Sequence, residues 1–194
     1  MKKAISLGLT AIMLLAAAGS YADENQATKK NQMRVNPKAT HLSIGVDMTK
    51  FNSDYGMGLS ITSPAFANGY MAVRAHGGVS VLNGLPENAT EYDIMNYQSV
   101  RLGFVVSVGM LGGLARFYSE PGLLVQFPDE WFSDDIATGG YGLIGFECFT
   151  AEKSPVTYFL QAGGYGTSGN ADKLSGKPGW GSGYLFEVGV RWYL

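Results

Sequence analysis

From residue 41 onward the chain alternates apolar and less apolar residues with a period of two, and no segment carries the 3.6-residue period of an amphipathic helix. The closing stretch is the clearest. Tyr184, Phe186, Val188, Val190, Trp192 and Leu194 alternate with Leu185, Glu187, Gly189, Arg191 and Tyr193, so one face is apolar along its length while the other holds two charges. Eight such segments predict strands at 41–49, 57–62, 70–82, 97–109, 114–127, 139–149, 156–165 and 184–194. The fourth is as regular as the eighth, with Val100, Leu102, Phe104, Val106 and Val108 opposed to Ser99, Arg101, Gly103 and Ser107.

Two segments need interpretation. The fifth contains Pro121, which cannot donate to a ladder, and this predicts a bulge or break nearby. The sixth is rich in glycine; placing Glu147 inward leaves Ile144, Phe146 and Cys148 outward. The connectors then alternate in length. Short turns at 64–69, 110–113 and 150–155 interleave with longer loops at 83–96, 128–138 and 166–183, and the first hairpin, 50–56, is of modest length. Short turns at one end and long loops at the other are the pattern of an outer-membrane barrel with both chain ends in the periplasm. The fold class expected is all-β: an eight-stranded antiparallel up-and-down transmembrane β-barrel over 41–194.

The first forty residues change the picture by giving a destination. A basic start, Met1-Lys2-Lys3, precedes an apolar run from Ile5 to Ala18 and then Ser20-Tyr21-Ala22, the pattern of a secretory signal peptide over 1–22. Residues 23–40 are polar and read as a flexible periplasmic segment. Loss of 1–22 removes Lys2 and Lys3 and no acid, taking the formal net charge from −2 to −4, which offers nothing to nucleic acid. Glycine, at 27 residues, is about twice its usual share, and charged residues make up only 15%. Cys148 is the single cysteine, so there is no disulfide framework despite export. The localisation expected is the bacterial outer membrane.

Charge also decides which face points inward. Arg74, Arg101, Arg116 and Arg191 stand on the less apolar face with Asp47, Glu120, Glu147 and Glu187, four of each sign, and no lysine lies within the predicted strands. A near-neutral set suits an enclosed space in which charges must find partners. Strand direction predicts two internal pairs, Arg116 with Glu147 and Arg101 with Glu120. An eight-stranded barrel leaves an interior only wide enough for side chains, so the lumen is expected to be plugged rather than an open porin.

On these residues the chain resembles the small eight-stranded outer-membrane barrels of the OmpA/OmpX-like class, over roughly Leu42 to Leu194. The most specific element is Glu187-Val188-Gly189-Val190-Arg191-Trp192-Tyr193-Leu194. It looks like the family's C-terminal assembly signal, with Leu194 in place of the usual terminal phenylalanine. The resemblance implies that Glu187, Gly189, Trp192 and Leu194 are read by the barrel-assembly machinery, and that outer-membrane lipid and lipopolysaccharide surround the barrel.

The wider class includes lipid A deacylases and a palmitoyltransferase, so a lipid-modifying enzyme is the alternative reading, with a soluble periplasmic ligand-binding barrel as a third. A hydrolase needs a nucleophile, base and orienting acid within hydrogen-bond reach. The two histidines are His41 at the start of strand one and His76, inward beside Arg74 and near Ser60. Neither belongs to the lipid-facing, late histidine-serine pattern of the deacylases. No catalytic residue, cofactor or metal is therefore assigned. Function beyond the barrel falls to the loops. Asp129, Glu130, Trp131, Phe132, Asp134 and Asp135 form an acidic, aromatic patch suited to a divalent cation, a lipopolysaccharide headgroup or an extracellular protein partner. The second loop feature, Lys177 to Trp180, is placed to fold over the mouth.

Overall fold

The computed structural model describes residues 41–85, 90–111, 114–130, 133–150, 154–171, 173–174 and 181–194. The signal sequence, the polar stretch 23–40, Trp131, Phe132 and the Lys177–Trp180 run lie outside the described residues.

Eight strands follow one another around a closed antiparallel barrel: β1 (Ser43–Phe51), β2 (Asp54–Thr62), β3 (Met71–Gly84), β4 (Asp93–Leu111), β5 (Ala115–Pro128), β6 (Ala137–Phe149), β7 (Val156–Thr167) and β8 (Ser182–Tyr193). β1 pairs with β8 from Ser43↔Tyr193 to Phe51↔Leu185, so the first and last strands leave no open edge. The same pairing puts the start of β1 and the end of β8 at one end, the base; the opposite end is the mouth.

The period of two becomes an inside and an outside. Leu59 is 61% exposed on the outer wall, while Ser60, the next residue, is 2% exposed inside. The same parity holds on β6, where Glu147 is buried and Ile144 and Cys148 face out. Outward tyrosines and a tryptophan stand near both ends: Tyr158 and Trp192 towards the base, Tyr55 and Tyr184 towards the mouth. The wall is thus apolar outside and polar inside, the reverse of a soluble ligand-binding barrel.

Four sequence expectations can be set against the structure. First, the bulge or break expected near Pro121 is present on the β4 side only: the β5–β6 pairing runs through Pro121↔Gly142 without a shift. Opposite it, the β4–β5 ladder passes from Gly103↔Gly122 to Val106↔Ser119 in one register, and the bulge falls later, between Ser107 and Gly109. The proline sits where one ladder is already interrupted, so its missing N–H costs little.

Secondly, the connectors do not alternate as sharply as the apolar pattern implied. The stretch 63–70 at the base is as long as 85–92 and 129–136 at the mouth. Backbone pairing continues past the apolar stretches, as when Asp93, Ile94 and Met95 pair with Gly84, Asn83 and Leu82. Thirdly, the β1–β2 connection is tight, with Phe51↔Asp54 flanking Asn52 and Ser53, and Asn52 takes the left-handed region at φ 50° that asparagine tolerates. Fourthly, one lysine does lie in a strand. Lys50 belongs to β1 and hydrogen-bonds the Tyr55 hydroxyl at 3.1 Å on the outer wall.

Candidate functional site in the barrel interior

All eight charged residues singled out from the sequence, Asp47, Arg74, Arg101, Arg116, Glu120, Glu147, Glu187 and Arg191, are buried in the lumen. They form layers. Nearest the base, Glu147 takes the Arg116 guanidinium, Arg191 Nη1 at 3.0 Å, the Thr157 hydroxyl at 2.6 Å and the Tyr193 hydroxyl at 2.8 Å. Arg116 and Glu147 are direct cross-strand partners in the β5–β6 register. Glu147 is therefore compensated by two guanidiniums and two hydroxyls, which is how a buried carboxylate is tolerated.

The middle layers reach across the lumen. Glu120 on β5 pairs with Arg74 on β3 and accepts the Tyr141 hydroxyl at 2.8 Å. Arg101 on β4 pairs with Glu187 on β8. The expected pair of Arg101 with Glu120 is therefore not formed. Inward side chains in a narrow barrel are as close to opposite walls as to adjacent strands, and each arginine takes the acceptor its length reaches. Tyr118 lies between two guanidiniums, those of Arg74 and Arg116 each 5.4 Å from its ring centroid, and its hydroxyl donates to Gln161 at 2.7 Å.

Beside Glu187, Asp47 accepts Thr49 Oγ1 at 2.7 Å, and His76 Nε2 lies 3.0 Å and 3.1 Å from its two carboxylate oxygens. Towards the mouth the lumen turns apolar. Phe51 packs edge-on to Tyr165 at 5.1 Å, with Leu124, Tyr141, Leu143 and Leu185 around them. Above this, Leu174 and Ala171 of the β7–β8 connector bury against Leu82, Met95, Tyr97 and Ala137. Leu174 and Ala171, which no sequence signal marked, are thus buried at the mouth.

The closed eight-stranded barrel has a structural precedent. The chain superposes on the N-terminal β-barrel domain of Pseudomonas aeruginosa OprF with a TM-score of 0.54 and 17% identity, covering 80% of this chain and 98% of that one. The two share one fold. Two structures of the Yersinia pestis outer membrane protein Ail are also similar. Its backbone structure in a nanodisc gives a TM-score of 0.47, 10% identity and coverage of 80% and 99%. Its crystal structure gives 0.44, 14%, and coverage of 79% and 97%. These neighbours are small outer-membrane barrels, and at such identities the likeness speaks for the fold alone. No protein-family model matches the chain, and no curated protein does.

Ser60, His76 and Asp47 are the residue types of a hydrolytic triad on neighbouring strands, but they are not arranged as one. Ser60 Oγ and His76 Nδ1 have no hydrogen-bond partner among the described residues, and all three side chains are buried in the lumen. On the outer wall a groove of about 410 Å³ is lined by Val46, Met57, Leu59, Gly77, Val79 and Val100, with no titratable side chain among its lining residues. Neither place offers a nucleophile and base to a lipid.

Of the acidic loop, Asp129, Glu130, Asp134 and Asp135 are described. Lys173, from the neighbouring connector, pairs with Asp134 and donates to the Glu130 carbonyl at 2.7 Å. That cation was absent from the sequence reading because it lies more than thirty residues away in the chain. The carboxyl-terminal motif divides between faces, with Glu187 and Gly189 inward and Trp192 and Leu194 exposed on the outer wall.

Proposed function

We propose that this protein is an integral outer-membrane β-barrel with a structural or surface-interaction role, its lumen closed by packed charged side chains. The observation that carries this reading is the inversion of the wall: apolar outside from Leu42 to Leu194, charged and hydrogen-bonded inside. In hydrocarbon every backbone polar group needs an internal partner, and a closed barrel supplies one. The base, where β1 begins and β8 ends, faces the periplasm, and the mouth faces outward. The chain is exported through a cleaved signal peptide over 1–22 and inserted by assembly machinery reading Glu187, Gly189, Trp192 and Leu194. Lipid and lipopolysaccharide contact the outer wall, and an extracellular partner is met by the loops around Asp129, Glu130, Asp134 and Asp135. The ion pairs of Arg74, Arg101, Arg116 and Arg191 fill the lumen and support a barrel that is not an open porin.

Fractionation of cells, followed by electrophoresis with and without boiling, tests this. The expected result is a membrane-fraction protein whose unboiled form migrates differently from the boiled one. Full extraction into aqueous buffer without detergent overturns it. Conductance in planar bilayers comparable to that of a general porin overturns the closed lumen while leaving the membrane location intact.

A further inference from the structure

We propose that Asp47, His76 and Glu187, with Thr49 beside them, form a site inside the barrel for one divalent transition-metal cation of the zinc class. β1, β3 and β8 bring these side chains to one point of the lumen, where each is buried. His76 Nε2 lies 3.0 Å from Asp47 Oδ2 and 3.9 Å from Glu187 Oε1, and Thr49 Oγ1 is 3.1 Å from that same Glu187 oxygen. Zinc bound tetrahedrally at about 2.0–2.1 Å needs neighbouring donors roughly 3.3 Å apart; these separations bracket that value, and the ligand atoms of Asp47, His76 and Glu187 all lie within 4.8 Å of one another. The donor set, one imidazole nitrogen with carboxylate and hydroxyl oxygens, suits zinc. Calcium and magnesium call for more ligands, all of them oxygen.

Two further observations point to a cation here. His76 Nε2 addresses both oxygens of one carboxylate at nearly equal distance, 3.0 Å and 3.1 Å, which one N–H serves poorly and an ion between them serves well. A Cβ at residue 58 would stand 2.2 Å from His76 Nε2 and 2.9 Å from Asp47 Oδ1, so Gly58 keeps this flank clear.

Charge adds a reason for this location. Among the described residues the buried carboxylates are Asp47, Asp54, Glu120, Glu147 and Glu187, against the guanidiniums of Arg74, Arg101, Arg116 and Arg191, an acid excess of one. Buried charge is costly unless compensated, and Asp47 is the carboxylate of the central layers with no arginine partner among the described ion pairs. The ion shares the Glu187 carboxylate with Arg101, so the guanidinium keeps its counter-charge. Arg101 retains its place over Tyr141, 5.3 Å from the ring centroid.

The test is refolding of the protein into detergent with zinc, removal of loose metal by chelator and gel filtration, and zinc counting by mass spectrometry. Wild type and H41Q are expected to hold about one zinc per folded chain; H76Q and D47N are expected to hold at least about tenfold less while keeping a heat-modifiable band. Wild type at the buffer blank, or H76Q loaded like wild type, overturns the proposal. Should H76Q and D47N fail to fold, wild type refolded with cobalt(II) decides alone. A visible absorption of tetrahedral intensity supports the site, and the spectrum of the free hydrated ion overturns it.

Discussion

A Cβ placed on Gly189 would stand 2.6 Å from Cζ of Phe159 on the adjacent strand and 2.3 Å from the Val46 carbonyl oxygen on the other side. Phe159 is held there because the Arg191 guanidinium lies over its ring, 4.5 Å from the centroid. Gly189 is therefore required by the packing of the folded lumen, whatever role it has in the carboxyl-terminal motif. Gly189→Ala is expected to cost about 1–3 kcal/mol, as overpacking does. Urea unfolding of protein refolded in micelles, with no cellular machinery present, measures it. A variant as stable as wild type in micelles but poorly inserted in cells would assign Gly189 to assembly alone.

Arg116 is the single most exposed test of the base layer. Its removal leaves Glu147 with Arg191, Thr157 and Tyr193 but with one fewer compensating charge. Arg116→Ala is expected to lower barrel stability by roughly 3 to 5 kcal/mol, the cost of breaking a buried pair. The unfolding midpoint in urea checks this, and an unchanged midpoint would show the pair to be dispensable.

What could be read from the sequence and what could not divides along a physical line. Parity could be read, because a period of two assigns every residue of a strand once one is placed. Glu147 placed β6 correctly although glycines blurred its pattern. The Arg116–Glu147 pair could be read as well, since both belong to one hairpin and are register partners. Arg74 with Glu120 and Arg101 with Glu187 could not, because those contacts cross the lumen between strands that do not pair. Their choice depends on stagger and side-chain reach, which alternation does not encode. The convergence of Asp47, His76 and Glu187 was hidden for the same reason, and the burial of Leu174 because one leucine in a polar connector has no period.

The cross-lumen choice of Arg101 gives a third prediction. A double-mutant cycle between R101M and E187Q is expected to show a coupling of about 0.5–3 kcal/mol. The cycle between R101M and E120Q, residues that form no ion pair but both touch Tyr141, is expected to show the smaller coupling of the two. Urea unfolding of the six proteins supplies both numbers. A larger coupling to Glu120 would restore the pairing expected from strand order.

The mouth offers the last. Leu174 is 1% exposed in a connector otherwise tied down by Lys173, whose partner Asp134 has a side chain 70% exposed. Exposed pairs contribute under about 1 kcal/mol, whereas truncating a buried leucine costs about 2–5 kcal/mol. Burial of the described part of this connector at the mouth therefore rests on the leucine rather than on the ion pair. Protease cleavage of a transiently opened segment tracks the open population, and 1.4 kcal/mol is about a factor of ten. Leu174→Ala is expected to raise tryptic cleavage within 168–181 by about tenfold or more, with the heat-modifiable barrel intact. Asp134→Asn should change the rate only a few fold. Equal protease resistance in wild type and Leu174→Ala would show that something other than this leucine holds the mouth closed.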